Sequence, residues 1–259
     1  MVIKRLAAVA LTALFASAPA HSAYRFEDGR ATDLESGRPL YREQHLLRMD
    51  GAAPVERMVL YRCNDGTPFA RKRVDYRASP NAPAFQFEDV RSGYREGVER
   101  STSGARVFVD RPDDVEESAA LPSGALVADA GFDQWVRGSW TQLAAGESVP
   151  MEFLVPSRLT SYGFKVYEVD PSEAGAVNAR RFRLRLGGLL GWFAPHIDVV
   201  YAESDRRLLS FEGLSNLRDD AGEDPLKVRI EFPAAPVPGK SEDWQRLALE
   251  PLRSCRVGV

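Results

Sequence analysis

The chain is poor in the residues that usually announce chemistry. Of 259 residues, two are cysteine and three are histidine. Cys63 and Cys255 lie near opposite ends, which excludes a paired-cysteine redox motif and a zinc knuckle. Beyond residue 23 the histidines are His45 and His196, and there is neither a His-Glu-x-x-His pair nor an acidic cluster with calcium-loop spacing. No metal and no cofactor are therefore expected. No serine sits in Gly-x-Ser-x-Gly, so the commonest hydrolase elbow is absent. Past residue 23 no apolar run approaches the roughly 20 residues that a spanning helix needs. An excess of positive charge is missing too: 34 basic residues face 37 acidic ones, a net of −3. That balance excludes the electrostatic footprint of a nucleic-acid binder and argues against broad adsorption to anionic lipid.

What the chain does have begins at its start. Lys4 and Arg5 precede an apolar run, Leu6 to Ala16, and small residues follow through Ala18-Pro19-Ala20 to Ala23. Charge, a helix too short to span, and small side chains that fit a peptidase are the layout of a cleaved export signal. The expectation is a signal peptide over 1–23, a periplasmic address, and a single β-rich domain over 24–259. Without Lys4 and Arg5, 32 basic residues face 37 acidic ones, a net of −5. In an oxidising compartment Cys63 and Cys255 are expected to form a disulfide.

From Ser36 onward the pattern is period-2 alternation in short runs, bounded by Gly, Pro, Asn and Asp. It predicts strands over 40–49, 55–62, 69–76, 84–90, 106–109, 149–155, 162–169, 181–186, 197–201, 208–212 and 226–232. Asp113 to Ser118 reads as a solvated acidic connector. One segment departs from the pattern. Phe132, Trp135, Val136, Trp140 and Leu143 recur at three- and four-residue steps, which predicts one helix over 130–145, capped by Asp129 and ended by Gly146. Trp244, Leu247 and Ala248 predict a short helix that Pro251 stops. The fold class expected is mainly β: a large curled antiparallel meander, a half-open barrel, with one main covering helix and a short C-terminal helix.

Four strings resemble uncharacterised exported proteins of Gram-negative bacteria. These are Leu60-Tyr61-Arg62-Cys63 with Ala70-Arg71-Lys72-Arg73, Phe153 to Arg158, and Phe211 to Asn216, and the resemblance spans most of the chain beyond the signal. In architecture, signal plus curled sheet plus covering helix is remotely similar to the periplasmic lipoprotein-carrier superfamily. That likeness implies a half-barrel holding acyl chains among aromatic and aliphatic side chains, an implication about function carried by analogy.

Candidate sites each have a functional and a structural reading. Trp135, Trp140, Phe153, Tyr162 and Phe164 could line a lipid-sized pocket, or could be ordinary core. Gly187 to Pro195 holds three glycines with Trp192 and Phe193 and no charge. It reads as a mobile lip or membrane-touching loop at the mouth of a cavity, or as a β-bulge and buried corner with its aromatics in the core. Arg71-Lys72-Arg73 and Arg180, Arg181, Arg183 and Arg185 are basic strand faces, for a phosphate or for cross-strand ion pairs. His196 and Asp198 share a strand face as a base-and-orienter pair, with Ser157 or Ser215 as weak nucleophile candidates. The function expected is binding or carriage of an apolar or amphipathic, lipid-like molecule, with no catalytic residue assigned. The alternatives are an envelope-assembly module that docks another protein, with transient membrane or envelope-protein contact, and a hydrolase using His196 and Asp198.

Overall fold

The computed structural model describes residues 23–102, 104–124, 126–170, 178–188 and 196–258. Residues 1–22 and 189–195, including Trp192 and Phe193, lie outside the described residues, and with them the signal and most of the Gly187–Pro195 lip. Among the described residues, no helix is long and apolar enough to cross a membrane.

The strand signals form one sheet of 16 strands. Its first half is an antiparallel meander: β1 (Tyr24–Asp33), β2 (Pro39–Asp50), β3 (Ala53–Cys63), β4 (Pro68–Asp75), β5 (Ala84–Asp89), β6 (Tyr94–Ser101), β7 (Gly104–Asp110) and β8 (Glu117–Ala120). The chain then gives β9 (Leu126–Ala128) and two short helices, α1 (Gly131–Gly138) and α2 (Trp140–Ala144). A second meander follows: β10 (Val149–Val155), β11 (Thr160–Glu168), β12 (Ala179–Leu186), β13 (Ile197–Ala202), β14 (Leu208–Arg218) and β15 (Pro225–Glu231). β16 (Val237–Pro238) and α3 (Ser241–Leu249) close the chain.

The sheet is mainly antiparallel and curled, as alternation implies, but it is not one uninterrupted meander. β1 pairs with β2 on one side and β15 on the other, joining two meanders at the middle of the sheet. β9 lies parallel to β10 at one edge, and β8 forms the other. The edges curve toward each other: Val74, Phe85, Val98 and Val107 pack with Ala128 and Leu154, and Arg111 donates to the Ser157 carbonyl at 2.8 Å. β8 and β9 are not hydrogen-bonded neighbours, so the barrel stays half open.

Besides β6, β9, the two-residue β16 and β8, which begins inside the stretch 113–118 read as a connector, the strand that alternation does not reveal is β1. Its sequence YRFEDGRATD places charges on both faces around Gly29. That glycine is required by close approach, because a Cβ there would come 2.9 Å from the Phe232 ring. Gly97 in β6 is tighter still: a Cβ would lie 2.1 Å from the Phe85 carbonyl oxygen.

The expected helix over 130–145 is divided. Ser139 leaves helical geometry at φ −89°, ψ 5°, just after the flexible Gly138, and α2 starts at the next residue. Asp129 does not act as the N-cap; Ala130 holds that position without a side-chain bond. The Asp129 carboxylate instead accepts its neighbour's N–H and an ion pair from Lys72. Gly146, at φ +80°, ends the segment as its position suggests. Together α1 and α2 cover the concave face, seating Val136, Trp140 and Leu143 on Phe182, Leu184, Val199 and Tyr201.

α3 lies on the opposite, convex face, where Leu247 is buried with Leu46, Met58 and Leu60. Its C-terminal carbonyls carry the negative end of the helix dipole, and arginines meet them. Arg71 donates to the carbonyls of Leu247 and Glu250, and Arg73 to that of Ala248. Arg62 forks onto the Glu250 carboxylate at 2.7 and 2.6 Å. The tail beyond is tied by the Cys63–Cys255 disulfide. Val257 then enters the core beside Leu40 and Tyr41, with its N–H held by Asp220.

Candidate functional site

Between the curled sheet and α1 the chain leaves a hollow of about 460 Å³. One part of its wall is apolar: Phe153 and Phe164, in edge contact at 6.3 Å between ring centroids, with Leu184, Val199, Phe211 and Ile230. The other part is charged, and most of its charges come from strand positions that face inward among apolar neighbours. Glu43 and His45 follow Tyr41 on β2; Arg57 precedes Val59 and Tyr61 on β3; Lys72 lies between Ala70 and Val74 on β4; Glu96 lies between Tyr94 and Val98 on β6. Asp129 and Asp133 reach the same hollow from the segment that covers it.

A second recess of about 570 Å³ opens beside it, between β1, β16 and α1. His45, Arg57, Asp133, Leu208 and Phe232 line both spaces and so form the partition between them.

Of the cations of this region, Lys72 pairs with Asp129, an Arg57 guanidinium nitrogen lies 3.8 Å from Asp133 while its buried Nε has no hydrogen-bond partner, and Arg218 donates to the Glu223 carbonyl beside the Tyr94 ring. Among the described residues, two of the carboxylates, Glu43 and Glu96, meet no lysine or arginine at ion-pair distance. Glu43 meets His45 through Nε2 at 2.7 Å, and Glu96 accepts the Tyr94 hydroxyl at 2.6 Å. Glu27, next to the partition, has an Oε1 with no hydrogen-bond partner. Burial pushes the Glu96 carboxyl above its ordinary value, against the lowering effect of the Tyr94 hydroxyl. Burial also raises Glu27, outweighing the attraction of His45 and Arg57. The Tyr76 hydroxyl, deep in the same region, is pushed up to about 12, chiefly by burial.

The structure sorts the residues singled out from sequence. Phe153 and Phe164 line the hollow. Trp140 is packed edge-on against Phe182 and Tyr201 at 5.5 and 6.1 Å, and Trp135 is half-buried against the same cluster. The cover meets the hollow through Phe132 and Asp133, one turn earlier than its tryptophans. Tyr162 is 40% exposed and does not line the hollow.

His196 stands at the rim, its side chain 51% exposed, with Nε2 3.8 Å from Asp198. That exceeds hydrogen-bond reach, so the imidazole is not oriented by the carboxylate. Asp198 belongs to an ion-pair lattice on the other face. Burial would raise its pKa, but Arg183 at 2.7 and 2.8 Å and Arg181 hold it below the ordinary range. Arg180 likewise bridges Glu168 and Glu203. Ser215 faces the Tyr41 hydroxyl at 3.3 Å. Among the described residues, no group of three or more His, Cys, Asp or Glu side chains is placed to hold a metal.

No family model matches the chain, and no curated protein matches it. Among solved structures it is similar to a β-barrel-like protein of domain of unknown function DUF1849 from Brucella abortus. The identity is 8%, over 81% of this chain and 95% of that one, with a TM-score of 0.47. By its own sheet the chain is a mainly β, barrel-like protein with a half-open barrel and one disulfide.

Proposed function

We propose that this is an exported, periplasmic protein that binds an apolar or amphipathic small molecule inside its half-barrel. The observation that supports this most is the hollow, whose volume falls in the roughly 300–1,000 Å³ range of small-molecule sites. An ordinary core would close such a gap, because interiors pack as densely as organic crystals. Binding would proceed by burial: each methylene taken out of water against Phe153, Phe164 and Leu184 contributes about 0.8 kcal/mol. Any contact with a membrane or an envelope protein would serve loading and unloading of that guest.

Native mass spectrometry of the protein purified from its own periplasm tests the reading. The expected result is a bound mass of lipid size that is lost on Leu184→Arg, a charge placed in the apolar wall, with near-UV circular dichroism confirming that the variant folds. A clean apo mass, together with no uptake of dodecanol, fluorescent fatty acid or fluorescent alkylamine, overturns it.

A further inference from the structure

We infer that the hollow selects an aliphatic chain carrying a cationic amine, with the ammonium seated among Glu43, His45 and Glu96 and the chain against Phe153 and Phe164. This rests on the carrier reading above and names the head group that such a guest would bring.

Two independent features carry it. The first is an imbalance of pairing at the charged wall. Lys72 and Arg57 already face Asp129 and Asp133. Among the described residues, neither Glu43 nor Glu96 has a lysine or arginine within ion-pair distance; Glu43 has a histidine and Glu96 a tyrosine hydroxyl. Lys72 and Arg218 act on Glu96 only at longer range. An anionic head at Lys72 or Arg57 would have to compete with Asp129 or Asp133, and one at Arg218, which lines the hollow with no carboxylate at ion-pair distance among the described residues, would still face Glu96. A cationic head meets carboxylates that lack a counter-ion, in a setting where low dielectric strengthens the attraction.

The second feature is His45. It is 6% exposed, lines the hollow, and bonds Glu43 through Nε2. Its other nitrogen, Nδ1, is buried without a partner. In the neutral imidazole whose Nε2–H donates to Glu43, Nδ1 is a pure acceptor, and a buried acceptor with no donor costs free energy. An ammonium supplies several N–H donors at once and can satisfy Nδ1 and a carboxylate together. A carboxylate or phosphate head offers this acceptor nothing. The apolar wall gives the same guest a place for its chain.

Isothermal titration calorimetry at pH 7 with dodecylamine, dodecanol and laurate, each below its micelle concentration, separates the outcomes. The expected order is dodecylamine tightest, then dodecanol, then laurate. In Glu43→Gln and Glu96→Gln the dodecylamine affinity falls about tenfold each, the size of a lost charged hydrogen bond. Near-UV circular dichroism matching that of the parent reports that those variants fold. Laurate binding as tightly as dodecylamine overturns the head-group inference and leaves the carrier reading standing. So does a dodecylamine preference that survives both glutamine variants, because it would place the ammonium elsewhere. Failure of all three probes refutes the carrier reading itself.

Discussion

Breaking the Cys63–Cys255 bond is the perturbation with the clearest magnitude. The bond closes a loop with a sequence separation of 192 residues. In the chain-entropy account a loop of that length restricts the unfolded state by about 5 kcal/mol at 25 °C. The folded side of the equilibrium should change little in Cys63→Ser/Cys255→Ser. Arg253 still donates to the Pro68 carbonyl at 2.8 Å, Val257 to Asp220 at 3.0 Å, and Gly258 to the Leu40 carbonyl at 3.1 Å. Val257 still fills its place beside Leu40 and Tyr41. The double variant is therefore expected to keep the native fluorescence of Trp135, Trp140 and Trp244 while losing about 4–5 kcal/mol of stability. With a urea slope of about 3 kcal/mol/M, the midpoint moves down by about 1.5 M. Urea titrations followed by tryptophan fluorescence, oxidised against double variant, measure it. A loss below about 1 kcal/mol would refute the loop argument. Two thiols titrating in the unreduced, unfolded protein would remove its premise.

Two further predictions concern packing and charge. Gly97→Ala puts a Cβ 2.1 Å from the Phe85 carbonyl and 2.8 Å from the Phe108 ring, so the backbone of β5 or β6 must move. The expected cost is about 3 kcal/mol, whereas Gly138→Ala, which meets nothing within 4 Å, is neutral or stabilises by about 0.5 kcal/mol; equal melting temperatures for the two variants would contradict the register of β5 and β6. Glu96→Gln tests the buried carboxyl. Its folded pKa lies above the ordinary 4.5, so ionisation disfavours the folded state at pH values above the folded pKa, and that penalty disappears below the unfolded one. Glutamine keeps an acceptor for Tyr94 and never ionises. The variant should melt higher than the parent at pH 8 and converge with it near pH 4; a lower melting point at pH 8 sinks the assignment. With the amine inference, the same residue would then trade stability for binding, as functional sites commonly do.

Alternation made most of the sheet legible. β2, β3, β4 and β5, and β10 through β15, fall where apolar and charged residues alternate, because a half-buried strand can only be written that way. The covering segment was legible from the spacing of Phe132, Val136, Trp140 and Leu143, though its break at Ser139 depends on a local backbone choice that periodicity does not encode. β1 stayed hidden because Gly29 and its charged neighbours answer to Phe232 and Ile230, residues about two hundred positions away. The charged wall was missed for a related reason. Glu43, His45, Lys72 and Glu96 sit on the inward parity of strands whose other inward residues are apolar, and that interruption was the available signal. Arg71 to Arg73 offered a phosphate-binding face or cross-strand ion pairs; Arg71 does pair across the strands with Glu88, but the further partners of Arg71 and Arg73 are the carbonyls ending α3, which no local pattern connects to β4.

The sequence by itself determined most of the strands, the mainly β curled class, and the pair of cysteines that bond. Those follow from composition and from local periodicity, where neighbours two positions apart carry the information in a strand. The tertiary structure alone decided that β1 joins two meanders, that α3 packs outside and α1 inside, and that the inward charges gather around one hollow. Such contacts depend on long-range pairing, in which strand twist and side-chain volume select one arrangement from many that share the same alternation.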